Sequence, residues 1–260
     1  MKRFAFWRGV VGLAALAVSM SAAAADTLRV AVVPIVAQEG FLATVLAPFL
    51  AARGLTLELR ATHGREVARA ARRGEVDLVM MHERFRARPR LIASGIIDAA
   101  TPVFANPIAL LAPGADPAQA LAAPSFAEAL RRIQARKACV LENALDGLQP
   151  LLAEFAPAGL CIQRDASAVG LGAVLLAGRE GWYTLWGLHP FAMSEQPLRA
   201  RVWPEAALLR PLVAAAVVDA AGEAHARAAI EYLRSDAARE ATRAFRLARV
   251  PGEQAFFPIE

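Results

Sequence analysis

Apolar and polar positions along the chain switch repeatedly between two spacings. "TLRVAVVP" (27–34) and "EVDLVMMH" (75–82) are short, nearly continuous apolar runs, as expected of strands covered on both faces of a parallel sheet. "LTLELR" (55–60) alternates with period two and predicts a half-buried strand. Between these runs the spacing becomes helical. "FLATVLAPFLAARG" (41–54) ends on a glycine suited to a helix C-terminus, and "GREVARAARRG" (64–74) places Val67, Ala70 and Ala71 on one face before its own glycine. "PRLIASG" (89–95) predicts another short helix.

The alternation continues past an apolar strand that runs into a Pro/Gly-rich loop, "TPVFANPIALLAPGADP" (101–117). Ser125 and Glu128 have capping-box spacing ahead of "ALRRIQAR". "ACVLEN", "LDGLQPLLAEF", "GLCIQ", "AVGLGAVLLAGREG" and "WYTLW" carry the α/β rhythm onward. "LLRPLVAAAVVDA" (208–220) suits a returning strand, although its alanines also suit a helix. Residues 223–246 predict a helix broken near Ser235 and Asp236. Two α/β blocks with a helical tail predict two lobes and a cleft. Open sheets of this kind bind ligands beyond the carboxyl ends of their strands, which places candidate loops at 34–40, 61–65, 82–85, 142–148 and 164–170.

Composition changes the picture at three points. "MKRFAFWRGVVGLAALAVSMSAAAADTL" joins Lys2, Arg3 and Arg8 to a short apolar stretch and an Ala23–Ala25 cleavage motif, which predicts a signal peptide over 1–25 and a periplasmic product. Three of the 29 basic residues lie in that segment, leaving 26 against 24 acidic ones, so the high isoelectric point is no argument for nucleic acid as a partner. The basic run "RFRARPR" (84–90) is read as a solvated loop face. Cys139 and Cys161 sit in two strand-like segments, and an oxidising compartment makes them a disulfide candidate if the strands are in register. Two cysteines and four dispersed histidines supply no metal-ligand spacing, and no phosphate loop or nucleophile motif occurs, so neither metal, cofactor nor catalysis is expected.

"GREVARAARRGEVDLVMMHE", "FANPIALLAPGADP", "SFAEALRRIQARKACVLEN", "VGLGAVLLAGREGWYTLW" and "VPGEQAFFP" follow one another as in a known family. Over residues 26–260 the chain resembles the periplasmic substrate-binding proteins of ABC transporters, of the tungstate-binding type. The resemblance implies a type II periplasmic-binding-protein fold, with lobe 1 at 26–105 and 213–260 and lobe 2 at 106–212. It further implies a monomer that closes on a small ligand, including oxyanions of the tungstate/molybdate kind, and docks on an inner-membrane ABC permease. The pocket diverges from the family. "VVPIVAQEG" has no hydroxyl between Val32 and Gly40, and "LENALDGLQ" keeps Asp146-Gly147 while carrying Glu142 in place of arginine and hydroxyl donors. A ligand-binding module on the same scaffold, with a non-transporter partner or a non-oxyanion ligand, is the alternative reading.

The candidate ligand contacts are Thr62, His63, Gly64 and Arg65 after the second strand and His82 after the third. On the facing lobe they are Asn143, Asp146 and Gly170. His63 and Arg65 also suit an exposed helix start, and Asp146 suits a helix cap. Trp182, Tyr183 and Trp186 are read as core packing or as an aromatic wall to the cleft.

Overall fold

The computed structural model describes residues 26–145 and 148–259; the expected signal peptide and Asp146 lie outside them. Ten strands and ten α-helices are defined among the described residues. The first lobe begins with β1 (Thr27–Val32), α1 (Pro34–Ala37), α2 (Phe41–Arg53), β2 (Thr56–Ala61), α3 (Gly64–Arg72), β3 (Leu78–His82) and α4 (Arg88–Ala93). The chain continues through β4 (Thr101–Ala112), α5 (Phe126–Ala135), β5 (Cys139–Glu142), α6 (Gln149–Phe155) and β6 (Cys161–Arg164). Next come α7 (Leu171–Glu180), β7 (Tyr183–Gly187), α8 (Leu188–Met193) and β8 (Arg199–Arg201). It returns through β9 (Leu209–Ala216), α9 (Glu223–Leu233), α10 (Asp236–Ala244) and β10 (Phe257–Pro258).

The strand order is β2-β1-β3-β9-β4-β7-β5-β6, with β8 and β10 also paired to β4. β4 belongs to both lobes. Residues 101–107 pair antiparallel with β9, whereas Ile108 to Leu111 pair antiparallel with β7. Pro107, which has no N–H to give a ladder, sits where the partner changes. β1, β2 and β3 are mutually parallel, as are β5, β6 and β7. Because Gly187 pairs with Ile108 and His82 pairs with Leu212, both sets of carboxyl ends meet the crossover strands, and the two edges face one another.

Local chemistry explains most boundaries. Ser125 Oγ accepts the Glu128 N–H at 3.2 Å and starts α5, while the Glu128 carboxylate pairs with Arg131 and Arg132, so only half of the capping box forms. Ser235 caps α10 and breaks the terminal helix after Leu233, as the pattern predicts. Residues 209–216 are strand rather than helix, because they fill the centre of a sheet between β3 and β4. The candidate loop at 34–40 contains α1 and a 3-10 turn over Gln38–Gly40, with Glu39 and Gly40 at positive φ. The helical run 34–53 is apolar and long enough to span a membrane. It bends at that point, however, and α2 buries Phe41, Leu42, Val45, Leu46 and Phe49 in the core.

Phe41 stacks on Phe256 at 3.8 Å and meets Phe104 and Phe245 edge-on. Ala255 and Phe256 of the terminal "GEQAFFP" segment are thus part of the core. Beneath β1 and β3, Asp77 is buried and accepts the Arg29 N–H at 2.8 Å, the Arg29 guanidinium at 2.5 and 3.1 Å, and the Gly222 N–H at 3.0 Å. A Cβ on Gly222 would stand 2.6 Å from that carboxylate, so a side chain is excluded there. In the second lobe Cys139 and Cys161 are directly opposite in β5 and β6, their Cα atoms 4.6 Å apart, and form a disulfide.

Candidate functional site

The first lobe offers two loops to the cleft. α3 starts at Gly64 with His63 as its N-cap; His63 and Arg65 are exposed, and Thr62 is half-buried and tied to β1 by its N–H to Val32 O at 2.9 Å. The second loop follows His82. The two are packed together, because a Cβ on Gly64 would lie 2.7 Å from the Phe85 ring. Only glycine lets Phe85 lie against the first turn of α3.

His82 is half-buried at the end of β3. Burial, and after it the nearby Arg210 charge, lower its pKa. Arg210, at the start of β9, is itself lowered by burial and then by the charge of Arg84. Three cationic or ionisable side chains are therefore grouped where β3 and β9 meet the cleft. Beside them on β4, Asn106 stands in register with Arg210; it is 5% exposed and its Oδ1 has no hydrogen-bond donor among the described residues.

On the second lobe the expected residues have distinct tasks. Asn143 is buried and spends its amide inside the protein. Its Oδ1 accepts Gly170 N–H at 2.8 Å and Leu145 N–H at 3.2 Å, and its Nδ2 donates to Leu185 O at 3.1 Å. It holds the loop after β5 against the start of α7 instead of presenting a free amide. Gly170 adopts φ 54° and ψ −121°, a conformation for glycine alone, and precedes the ten-residue α7. Glu142 is paired with Arg164 at 3.4 Å and Gln149 at 3.2 Å.

The aromatic residues divide. Tyr183 is a core residue whose hydroxyl donates to Asp116 Oδ1 at 2.8 Å and accepts the Ala118 N–H at 3.0 Å; burial raises its pKa. Trp186 is also mostly buried, but its Nε1 lies 3.9 Å from the position a Cβ would take on Gly170.

Sequence reasoning missed His189. It lies in α8, fully buried, and reaches across to the first lobe. Nε2 contacts Ala255 O at 2.8 Å, and Nδ1 meets the Gln38 side-chain amide at 3.1 Å. The carbonyl can only accept, so Nε2 carries the proton, and the neutral ring is satisfied when the Gln38 NH2 faces Nδ1. Burial pushes its pKa down to about 4, against the opposing pull of the Ala255 contact, and His82 lowers it further. The signal was a histidine just beyond the carboxyl end of "WYTLW", where loops carry function. Gln38 sits in the loop that lacks hydroxyls, so one of its few polar side chains is occupied by this contact.

Two concavities are lined by residues other than His82, Arg84 and Arg210. One, about 430 Å³, is lined by Arg29, Gly74, Gly95 and Asp219; the other, about 340 Å³, by Gln163, Arg179 and Trp182. No group of three or more His, Cys, Asp or Glu side chains is arranged to hold a metal ion among the described residues.

No family model matches the chain, and no curated protein matches it. Solved structures do. A tungstate binding protein, TupA, from Desulfovibrio alaskensis G20 superposes with TM-score 0.68 at 19% identity, over 90% of this chain and 99% of that one. The tungstate ABC transporter structure from Geobacter sulfurreducens gives 0.59 at 19% identity, over 85% and 99%. The substrate binding domain of a putative molybdenum ABC transporter from Clostridium difficile gives 0.58 at 8% identity, over 90% and 100%. The chain has this shared α/β, two-lobed architecture.

Proposed function

We propose that the protein is a periplasmic solute-binding protein that takes up a small anion between its lobes by hinge closure and delivers it to an ABC permease. The observation that supports this reading is convergence. The carboxyl edges of two parallel strand sets face each other across β4 and β9. On one side stand His82, Arg84 and Arg210; on the other is the N-terminus of α7. Positive charge and free backbone N–H groups both favour anions. The solved neighbours that are tungstate- and molybdenum-transport proteins make oxyanions natural first probes. Thr62, His63, Gly64, Arg65, His82, Asn143, Asp146 and Gly170 are the proposed contacts and positioning residues, Asn143 acting through Gly170.

The hydroxyl-free loop after β1, with Gln38 engaged by His189, supports a second reading on the same scaffold: a ligand-binding module serving a partner other than a transporter. Calorimetric titration of the mature chain with tungstate, molybdate, sulfate, phosphate and small organic acids tests the binding step. Small-angle scattering alongside it should show a smaller radius of gyration with ligand. Absence of binding by every anion sinks the proposal. His63→Ala and His82→Ala should each weaken binding about tenfold, the loss expected for one charge-assisted hydrogen bond.

A further inference from the structure

The second lobe's half of the cleft has a chemistry of its own. The N-terminus of α7 leaves the Leu171 N–H without an acceptor among the described residues, whereas Gly170 N–H is taken by Asn143 and Gly172 N–H by Val169 O at 3.0 Å. Independently, Trp186 is 9% exposed, yet its Nε1–H has no acceptor among the described residues. Nε1 stands 3.9 Å from where a Gly170 Cβ would be, so the missing side chain leaves the space before the indole open beside the helix start. Both donors are neutral.

The surroundings are apolar. Val169 is 46% exposed, Leu171 41% and Leu145 39%, among the few large hydrophobic side chains that face solvent anywhere in the described chain. Leu145 is brought to Val169 by the Ala144 N–H to Ala168 O bond at 2.9 Å and by Asn143. The charged side chains nearby on this lobe include the carboxylates of Glu142 and Asp165, the first paired with Arg164 and the second bonded to Ser167. A bare tetrahedral dianion wants dense cationic or hydroxyl donation on every side and gains nothing from leucine and valine walls. A carboxylate with an apolar body matches both parts: one oxygen takes the two N–H donors, and the hydrocarbon covers Val169, Leu171 and Leu145.

Building on the binding-protein reading, we infer that the ligand is a small organic monocarboxylate with a branched or aromatic apolar body. Trp186 is the residue that sets this specificity. The positive charge at Arg84 and Arg210 draws the anion in, and the second lobe selects what is attached to it.

The test is calorimetric titration of the mature chain with acetate, isovalerate, benzoate, tungstate and molybdate. Isovalerate or benzoate should bind at least tenfold more tightly than acetate and more tightly than either metal oxyanion. Trp186→Phe keeps an aromatic ring but removes the donor, and should weaken the best carboxylate about tenfold, the effect of one hydrogen bond to a charged group. Val169→Asn, at an exposed position, should narrow the gap between benzoate and acetate without altering thermal stability, so the proposal stays testable if the Trp186 variant fails to fold. Tighter binding of tungstate or molybdate than of every carboxylate overturns the inference while leaving a binding protein. So does carboxylate binding unchanged in Trp186→Phe. Binding of none of these anions overturns the inference, and failure of sulfate and phosphate as well overturns the binding-protein reading.

Discussion

Replacing Asp77 by alanine removes the acceptor for four hydrogen bonds that join β1, β3 and the turn before α9. Two of the donors are backbone N–H groups, of Arg29 and Gly222, and with the carboxylate gone they are left in a buried place. Each unsatisfied group costs about 1–3 kcal/mol. The Arg29 side chain is 30% exposed and can turn to water, so its part of the loss is discounted for solvent screening. The expected destabilisation is about 3–4 kcal/mol, resting mainly on the two amides. Urea unfolding followed by circular dichroism measures it as a shift in midpoint at constant slope.

Acidity supplies a second readout. Burial alone would raise the Asp77 pKa, but the Arg29 side chain, the Arg29 N–H and the Gly222 N–H together hold it below the ordinary value. A carboxylate depressed in the folded state stabilises fully above its unfolded pKa, near 3.9, and loses that stabilisation as pH falls through the folded value. The gap between wild type and Asp77→Ala should therefore be flat above about pH 5 and close only under strongly acid conditions. A gap below about 1 kcal/mol at neutral pH, or one that closes near pH 6, would refute the reasoning.

Other perturbations have equally definite outcomes. Cys139→Ser with Cys161→Ser opens a loop with a sequence separation of 22 and should cost about 3 kcal/mol of unfolding free energy, matched by adding a reductant to the wild type. Gly64→Ala forces its methyl into Phe85 and should cost about 1–3 kcal/mol, with the smaller side chain of Phe85→Leu restoring most of it in the double variant. His189 is neutral in the folded state with a pKa of about 4, so the stability it contributes is complete above about pH 6.5 and declines as the pH falls toward 4. Melting temperatures of wild type and His189→Gln should differ in slope across that window and in no other. Gly170→Ala places a side chain at φ 54° and fills the space before Trp186, and should weaken ligand binding more than it lowers the melting temperature.

Much of the architecture was legible because short apolar runs and helical periods report burial directly. β1, β3 and the amphipathic α3 are examples, and Ser235 marked its helix break through an ordinary capping role. β9 was ambiguous because a run of alanines and valines fits either period, and only its place between two strands decides. At the site, spacing located the loops but not their commitments. Asn143 resembles a free polar contact until its near neighbour Leu145 and the sequence-distant Gly170 and Leu185 claim its atoms. His189 shows the converse, since a lone histidine in "LHPF" has no local mark of the Gln38 and Ala255 partners that bury it.

The position of β9 also governs the order in which the molecule can be built. It lies between β3 and β4, yet nearly the whole second lobe separates it from both in the chain. A polypeptide growing from its amino end holds β1, β2 and β3 with an unfilled place at the sheet's centre until residue 209 and beyond have been made. The Phe41 cluster waits longer still, for Phe245 and Phe256. Local pairing can finish the second lobe meanwhile, because β5, β6 and β7 follow one another closely, whereas closing the first lobe requires the longest loop in the protein. The lobe that contains the first residues of the fold is therefore the last to become stable.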